Sequence, residues 1–405
     1  MALSYRLSPF RGIAAVHAPS RRDRRHDGTR IDSIDVLRGA AMVFVCLSHF
    51  ATGYLYQNGR LSSAYLLSVV SMVASPSFML VSGMVAGFLV AVAPWRFPQI
   101  RHHLVDRGVF LLVAGHFVLA VATLRHFHDL WAAYTTGYIT DVIGLALIAG
   151  PPLARELSPR NRAALAVALF GTSWIVSTTW HPTTSGASWI QHYLFGVPGA
   201  RATFPLLPWF AVYVLGTLLG ERFGASYRTG DRKAARGVLL RVGCASVAAS
   251  LGAFAAVRFL ATFGVAALSL PTIVRITSPT QKYPPGPVYL LLFGGAALIM
   301  GWCAIELNER RDVTGAVEFL KHLGQASLFV YFLQAFTYNG IKHAGLRYTP
   351  FWPLLFAGTL LLFGLAARAW CYIDGNRFFT VGLRAWGDSA ARFVNAEASP
   401  ARRTS

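Results

Sequence analysis

The chain has 405 residues, of which 54% are hydrophobic and 13% charged. A soluble domain carries about 25% charged residues. A mean hydropathy of +0.47, with the apolar residues gathered in long runs, excludes a soluble enzyme and predicts one all-α, polytopic membrane bundle. The net charge of +20 lies between the apolar runs and in the two tails, where it orients a protein in the bilayer rather than binding nucleic acid.

In chain order, residues 1–30 are basic, with the run Arg21-Arg22-Asp23-Arg24-Arg25. They lack the apolar segment of a signal peptide and read as a disordered cytoplasmic tail. About ten spans follow, at 35–56, 64–93, 104–124, 132–152, 162–179, 204–221, 237–263, 287–306, 325–343 and 350–373. They make one membrane domain over 31–376, and 377–405 reads as a second cytoplasmic tail. Pro76 predicts a kink in the second span. Arg258 sits near the far end of the seventh, where its side chain can snorkel. The pairs Gly83/Gly87 and Gly216/Gly220 predict close helix contacts. Cys46, Cys244, Cys303 and Cys371 all fall within spans and read as buried thiols, with no disulfide framework.

With the N-terminus inside, and with Arg107, Arg162 and Arg241 near span ends counted as inner and Lys342 as outer, the inner segments hold 27 Lys and Arg, the outer segments 7 and the spans 3. That asymmetry over short loops predicts both termini in the cytoplasm, and in a bacterial cell the inner membrane. Outer loops 180–203 and 264–286 are long enough to serve function.

Asp35, Arg38 and His49 form the most informative pattern. Arg38 and His49 are eleven positions apart, which is three helical turns plus about 20°, so the two share a face about 16 Å apart along the axis. Asp35 lies on nearly the same face. Ionisable groups within a span usually face a polar pathway, and an imidazole there suits a general base or nucleophile. The plainer alternative is that Asp35 and Arg38 anchor a helix end and His49 bonds a neighbouring helix. Arg96, Arg101 and Arg107 cluster with His102 and His103 on the inner side, where guanidinium groups suit phosphate, although positive-inside anchoring accounts for any one of them. On the outer side His126 and His128, with His181 and His192, suit polar contacts to a sugar. The Arg125-His126-Phe127-His128-Asp129 run offers too few ligands to fix a metal geometry.

The stretch from Arg30 to Gly39, with Ser33, Asp35 and Arg38, followed by His49 late in the span, resembles membrane-bound acyltransferases. These include acyltransferase family 3, with its Arg and His separated by ten residues, and the heparan-alpha-glucosaminide N-acetyltransferase-like family. Three further elements resemble the latter: Phe204-Pro205-Leu206-Leu207-Pro208-Trp209 with Gly216 and Gly220, Lys282-Tyr283-Pro284-Pro285 with Tyr289-Leu290-Leu291, and Leu323-Gly324 with Ser327-Leu328 and Tyr331. Gln334 stands where the family's late helix often carries a His. The resemblance implies transfer of an acyl group, acetyl in the first instance, from cytoplasmic acyl-CoA to a glycan or amino sugar on the far side. It requires no bound cofactor. Arg38, Arg96, Arg101 and Arg107 would hold the CoA phosphates, and His49 would carry the chemistry. A transporter or exporter of a small polar molecule or glycan precursor would need a similar tunnel but would neither bind nor hydrolyse acyl-CoA.

Overall fold

A computed structural model describes residues 32–55, 62–127, 129–198, 204–263, 270–309, 314–344 and 351–382. The predicted tail at 1–30 and the C-terminal residues from 383 onward lie outside the described residues.

The described chain is helical: α1 Asp32–Phe50, α2 Ser62–Ser71, α3 Ala74–Val92, α4 Phe97–Phe110, α5 His116–Phe127, α6 Leu130–Tyr134, α7 Ile139–Glu156, α8 Pro159–Thr179, α9 Ser185–Leu194, α10 Leu206–Arg228, α11 Arg232–Thr262, α12 Pro271–Ile276, α13 Pro287–Tyr289, α14 Gly295–Glu309, α15 Thr314–Gln325, α16 Ser327–His343 and α17 Trp352–Tyr372. No strand occurs among the described residues. Among the described residues, seven stretches are long and apolar enough to cross a bilayer: Asp32–Phe50, Tyr65–Val92, Ile100–Leu124, Leu130–Glu156, Lys233–Thr262, Pro287–Glu309 and Trp352–Tyr372. The expected fifth, sixth and ninth spans also form helices, α8, α10 and α16, which do not reach that measure. The protein is thus a multi-pass, all-α membrane bundle.

Helix starts follow local chemistry. The side chain of Ser158 caps α8 and that of Asp231 caps α11, each accepting from an otherwise unpaired N–H. The predicted break near Pro76 divides the second span between Ser71 and Ala74. Pro76 has no N–H to offer the carbonyl of Met72, and the Tyr289 hydroxyl donates to that carbonyl instead, at 3.0 Å.

Small residues bring the helices together. A Cβ on Gly83, Gly87, Gly216 or Gly220 would collide with backbone of the facing helix, so α3 and α10 pack backbone to backbone, as expected of this spacing. Gly39 and Gly324 do the same for α1 against α15. Trp209, Tyr213 and Tyr289 are fully buried in the largest apolar core. Large exposed apolar side chains such as Leu361, Leu362 and Leu365 on α17 and Leu251 and Phe259 on α11 present the surface a lipid tail covers. The cysteines depart from expectation. Cys46 is buried, Cys303 and Cys371 are half-buried, and Cys244 is exposed, because α11 contributes few residues to the interior.

Residues 375–382 still pack on the bundle. The Asn376 amide donates to the Gln325 carbonyl at 2.9 Å, and the Val381 N–H donates to the Asp106 carboxylate at 2.9 Å. Phe379 lies among Phe110, Phe332 and Trp370.

Candidate active site

A large cavity of about 920 Å3 runs inside the bundle, walled by α1, α2, α3, α4, α7 and α16 and by the loop before α13. The end of the bundle near Arg38 is called proximal here, and the end near His49 distal.

At the proximal end α1 and α4 supply Arg38 and Arg107, which both line the cavity and lie within electrostatic range of one another. Arg38 donates to Ser327 Oγ at 2.6 Å, so the first residue of α16 fixes the guanidinium. Asp35 turns away from the cavity. It is buried against α15, and its carboxylate accepts from the Gln325 amide at 3.4 Å. Arg101 is exposed and does not line the cavity, and the side chain of Arg96 lies outside the described residues. Of the four arginines singled out from the sequence, two are therefore brought together.

At the distal end His49 lines the same cavity. Its exposed surface is cavity surface. The eleven-residue spacing has placed Arg38 and His49 on one wall, as the helical period requires. The same cavity is lined by Ser48 of α1, Thr52 just beyond its end, Ser68 and Ser71 of α2, and Thr280, Gln281, Lys282 and Tyr283 of the loop before α13.

That loop is tied within itself and to α8. The Gln281 amide donates to the Tyr283 carbonyl at 2.7 Å, the Gly286 N–H to the Gln281 carbonyl at 2.8 Å, and the Trp174 indole to the Pro285 carbonyl at 3.0 Å. Lys282 Nζ sits 5.2 Å from the ring centres of both Phe204 and Tyr283, which is cation–π geometry. Burial lowers the Lys282 pKa from the ordinary lysine value to about 8 and pushes the Tyr283 phenol up, because a low-dielectric site penalises each charged form.

The expected acceptor-side histidines do not gather at the cavity. His181 is exposed on the distal side, and the His192 ring is engaged with the Ser188 carbonyl on its own helix at 2.7 Å. Neither lines the cavity. His128 and the side chain of His126 lie outside the described residues. Asp129 caps α6 by accepting from the Trp131 and Ala132 N–H groups at 3.1 Å. Gln334 is fully buried behind Tyr331, whose carbonyl accepts from its amide at 2.9 Å, and it does not line the cavity.

Sequence reasoning passed over two features. His116 has no charged partner on its own helix. The fold supplies one from α7, with Asp141 Oδ1 2.9 Å from Nδ1, while the Tyr134 carbonyl lies 2.6 Å from Nε2. Asp141 also accepts from the Tyr138 N–H at 2.8 Å, and Tyr138 lines the cavity. Lys282 was visible only as one letter of a motif. Nothing in the sequence showed that it faces the same space as His49.

The family model for heparan-alpha-glucosaminide N-acetyltransferase, catalytic, matches residues 30–252, more than half of the 405 residues. The matched stretch carries Asp35, Arg38, His49 and Arg107 but stops before Lys282. No curated protein matches the chain.

Proposed function

The chain belongs to the heparan-alpha-glucosaminide N-acetyltransferase catalytic family, a family of membrane acetyltransferases, and from that premise we propose that it moves an acetyl group from acyl-CoA on the cytoplasmic side to an amino sugar or glycan on the opposite side. The proximal end of the bundle is then cytoplasmic, in line with the 27 Lys and Arg assigned to that side against 7 on the other.

The observation that carries this reading is a cavity with two arginines at one end and a histidine at the other. Arg38 and Arg107 would hold the phosphates of CoA, for which guanidinium groups supply charge and paired donors. Extended pantetheine would bridge the roughly 16 Å along α1 and bring the thioester to His49. The acceptor amine or hydroxyl attacks the thioester carbonyl carbon, its proton passes to the imidazole, the carbon–sulfur bond breaks, and CoA leaves as the thiol once protonated. The alternative route acetylates His49 first and transfers from the ring afterwards. Both need the same imidazole at the same place.

The test is purified protein in liposomes with labelled acetyl-CoA on the proximal side and glucosamine or its oligosaccharides on the other. Labelled acetyl on the saccharide, or slow release of labelled acetate with water as acceptor, is the expected result. Protein that neither binds acetyl-CoA nor consumes it would overturn the reading in favour of a transporter.

A further inference from the structure

Acyl transfer to an amine or hydroxyl passes through a tetrahedral intermediate whose former carbonyl oxygen carries negative charge. A site performing it gains most from a hydrogen-bond donor fixed in advance where that charge develops. Several side-chain donors that line the cavity are already engaged. Thr52 is bonded to the Ser48 and His49 carbonyls, Thr136 to Ala132, Asn339 to Ala122, and Gln281 to Tyr283. Arg38 and Arg107 stand at the other end, about 16 Å away along α1.

Lys282 is different. Lys282 lines the cavity, and its ammonium makes no hydrogen bond or ion pair with the described residues. Its neighbours are the faces of Phe204 and Tyr283, which steer a cation without neutralising it. His49 lines the same distal end and lies within electrostatic range of it. The loop that carries Lys282 is tied at Gln281, Pro285 and Gly286, so the donor is positioned before substrate arrives. An unneutralised cation held in a low-dielectric pocket is costly unless a negative charge visits it.

We propose that Lys282 is a second catalytic group of this cavity, donating a hydrogen bond to the acyl carbonyl oxygen as the acceptor attacks. The proposal rests on the acetyl-transfer reading above. As the acceptor's lone pair forms the new bond to carbon, the carbonyl π electrons move onto oxygen, where the Lys282 N–H meets them. When the carbonyl re-forms, the carbon–sulfur bond breaks and the electron pair leaves with sulfur. His49 takes the acceptor's proton, and Lys282 ends the cycle protonated as it began. Its lowered pKa of about 8 keeps it mostly charged at neutral pH while making it a better donor than an ordinary lysine.

The experiment compares wild type, Lys282→Met and Lys282→Cys for acetyl-CoA binding, acetyl transfer to glucosamine oligosaccharides and acetyl-CoA hydrolysis. Both variants should bind acetyl-CoA as wild type does and lose on the order of 100- to 1,000-fold in kcat, as for removal of one oxyanion donor. Treating the Lys282→Cys protein with 2-bromoethylamine, which rebuilds an ammonium on a side chain of lysine length, should restore a large part of the rate, with identically treated wild type as control. A near-wild-type kcat in Lys282→Met, a change confined to the acceptor KM, or no recovery after aminoethylation would overturn the proposal. Wild type without transfer or hydrolysis would instead defeat the acetyl-transfer reading, and this inference with it.

Discussion

If Arg38 and Arg107 form the donor's phosphate site, replacing either should weaken acetyl-CoA binding without weakening the fold. The two guanidinium groups lie within electrostatic range and repel each other. Arg38 is anchored by the 2.6 Å hydrogen bond to Ser327 Oγ. Removing one arginine forfeits a charge-assisted contact with phosphate worth about 1.5–3 kcal/mol, a rise in Kd of roughly 10- to 150-fold. It also removes a like-charge repulsion, so the empty protein should unfold at the same temperature or higher. Ser327→Ala leaves the charge and frees only its position, and should cost less than Arg38→Ala. Wild-type affinity should fall with added salt more steeply than that of either variant, because fewer charges are then screened. Titration of detergent-solubilised protein with labelled acetyl-CoA, beside thermal unfolding of the same samples, measures both sides. Unchanged Kd in Arg38→Ala and Arg107→Ala, or affinity lost only in step with a falling unfolding temperature, would refute the argument and make the two arginines structural.

His49→Gln should lower acetyl transfer by about two to four orders of magnitude, the usual contribution of a general base, with acetyl-CoA binding retained; near-wild-type turnover would remove the imidazole from the mechanism. Tyr289→Phe should lower stability by about 1–2 kcal/mol, because the Met72 carbonyl beside Pro76 loses its donor; an unchanged unfolding midpoint would show another group, such as water, serving it. Lys282→Met should be more stable than wild type at pH 7, since burial holds the Lys282 pKa near 8. Between about pH 8 and pH 10.5 the unfolded chain binds more protons at this lysine than the folded one, so wild type gains stability as pH rises and the difference narrows. Unfolding midpoints of both proteins at pH 7 and pH 10 test this, and a pH-independent difference would contradict it. Cysteines introduced at Ser185 and Thr280 should be labelled from the side opposite the termini, and labelling of both from the cytoplasmic side would reverse the orientation proposed here.

The membrane class, the helical architecture and the pairing of Arg38 with His49 could all be read from the sequence, because each depends on local chemistry. Long apolar runs need internal backbone hydrogen bonding in lipid. The helical period alone puts residues eleven apart on one face. Gly83, Gly87, Gly216 and Gly220 announced a close contact because only a missing Cβ admits another backbone. Other questions depended on which helices become neighbours. Asp35 had the spacing to face the cavity beside Arg38, yet α15 packs against that part of α1 and takes the carboxylate toward Gln325. Arg101 and Arg107 were alike in sequence, and only the packing of α4 turns one inward and leaves the other exposed. His116 gained its carboxylate from α7, a helix with no fixed sequence distance from it. Lys282, more than two hundred residues from His49, comes to the same cavity because its loop folds on itself and is fastened to α8 by Trp174. Local periodicity is written along the chain, whereas a site assembled from several helices exists only once those helices have packed.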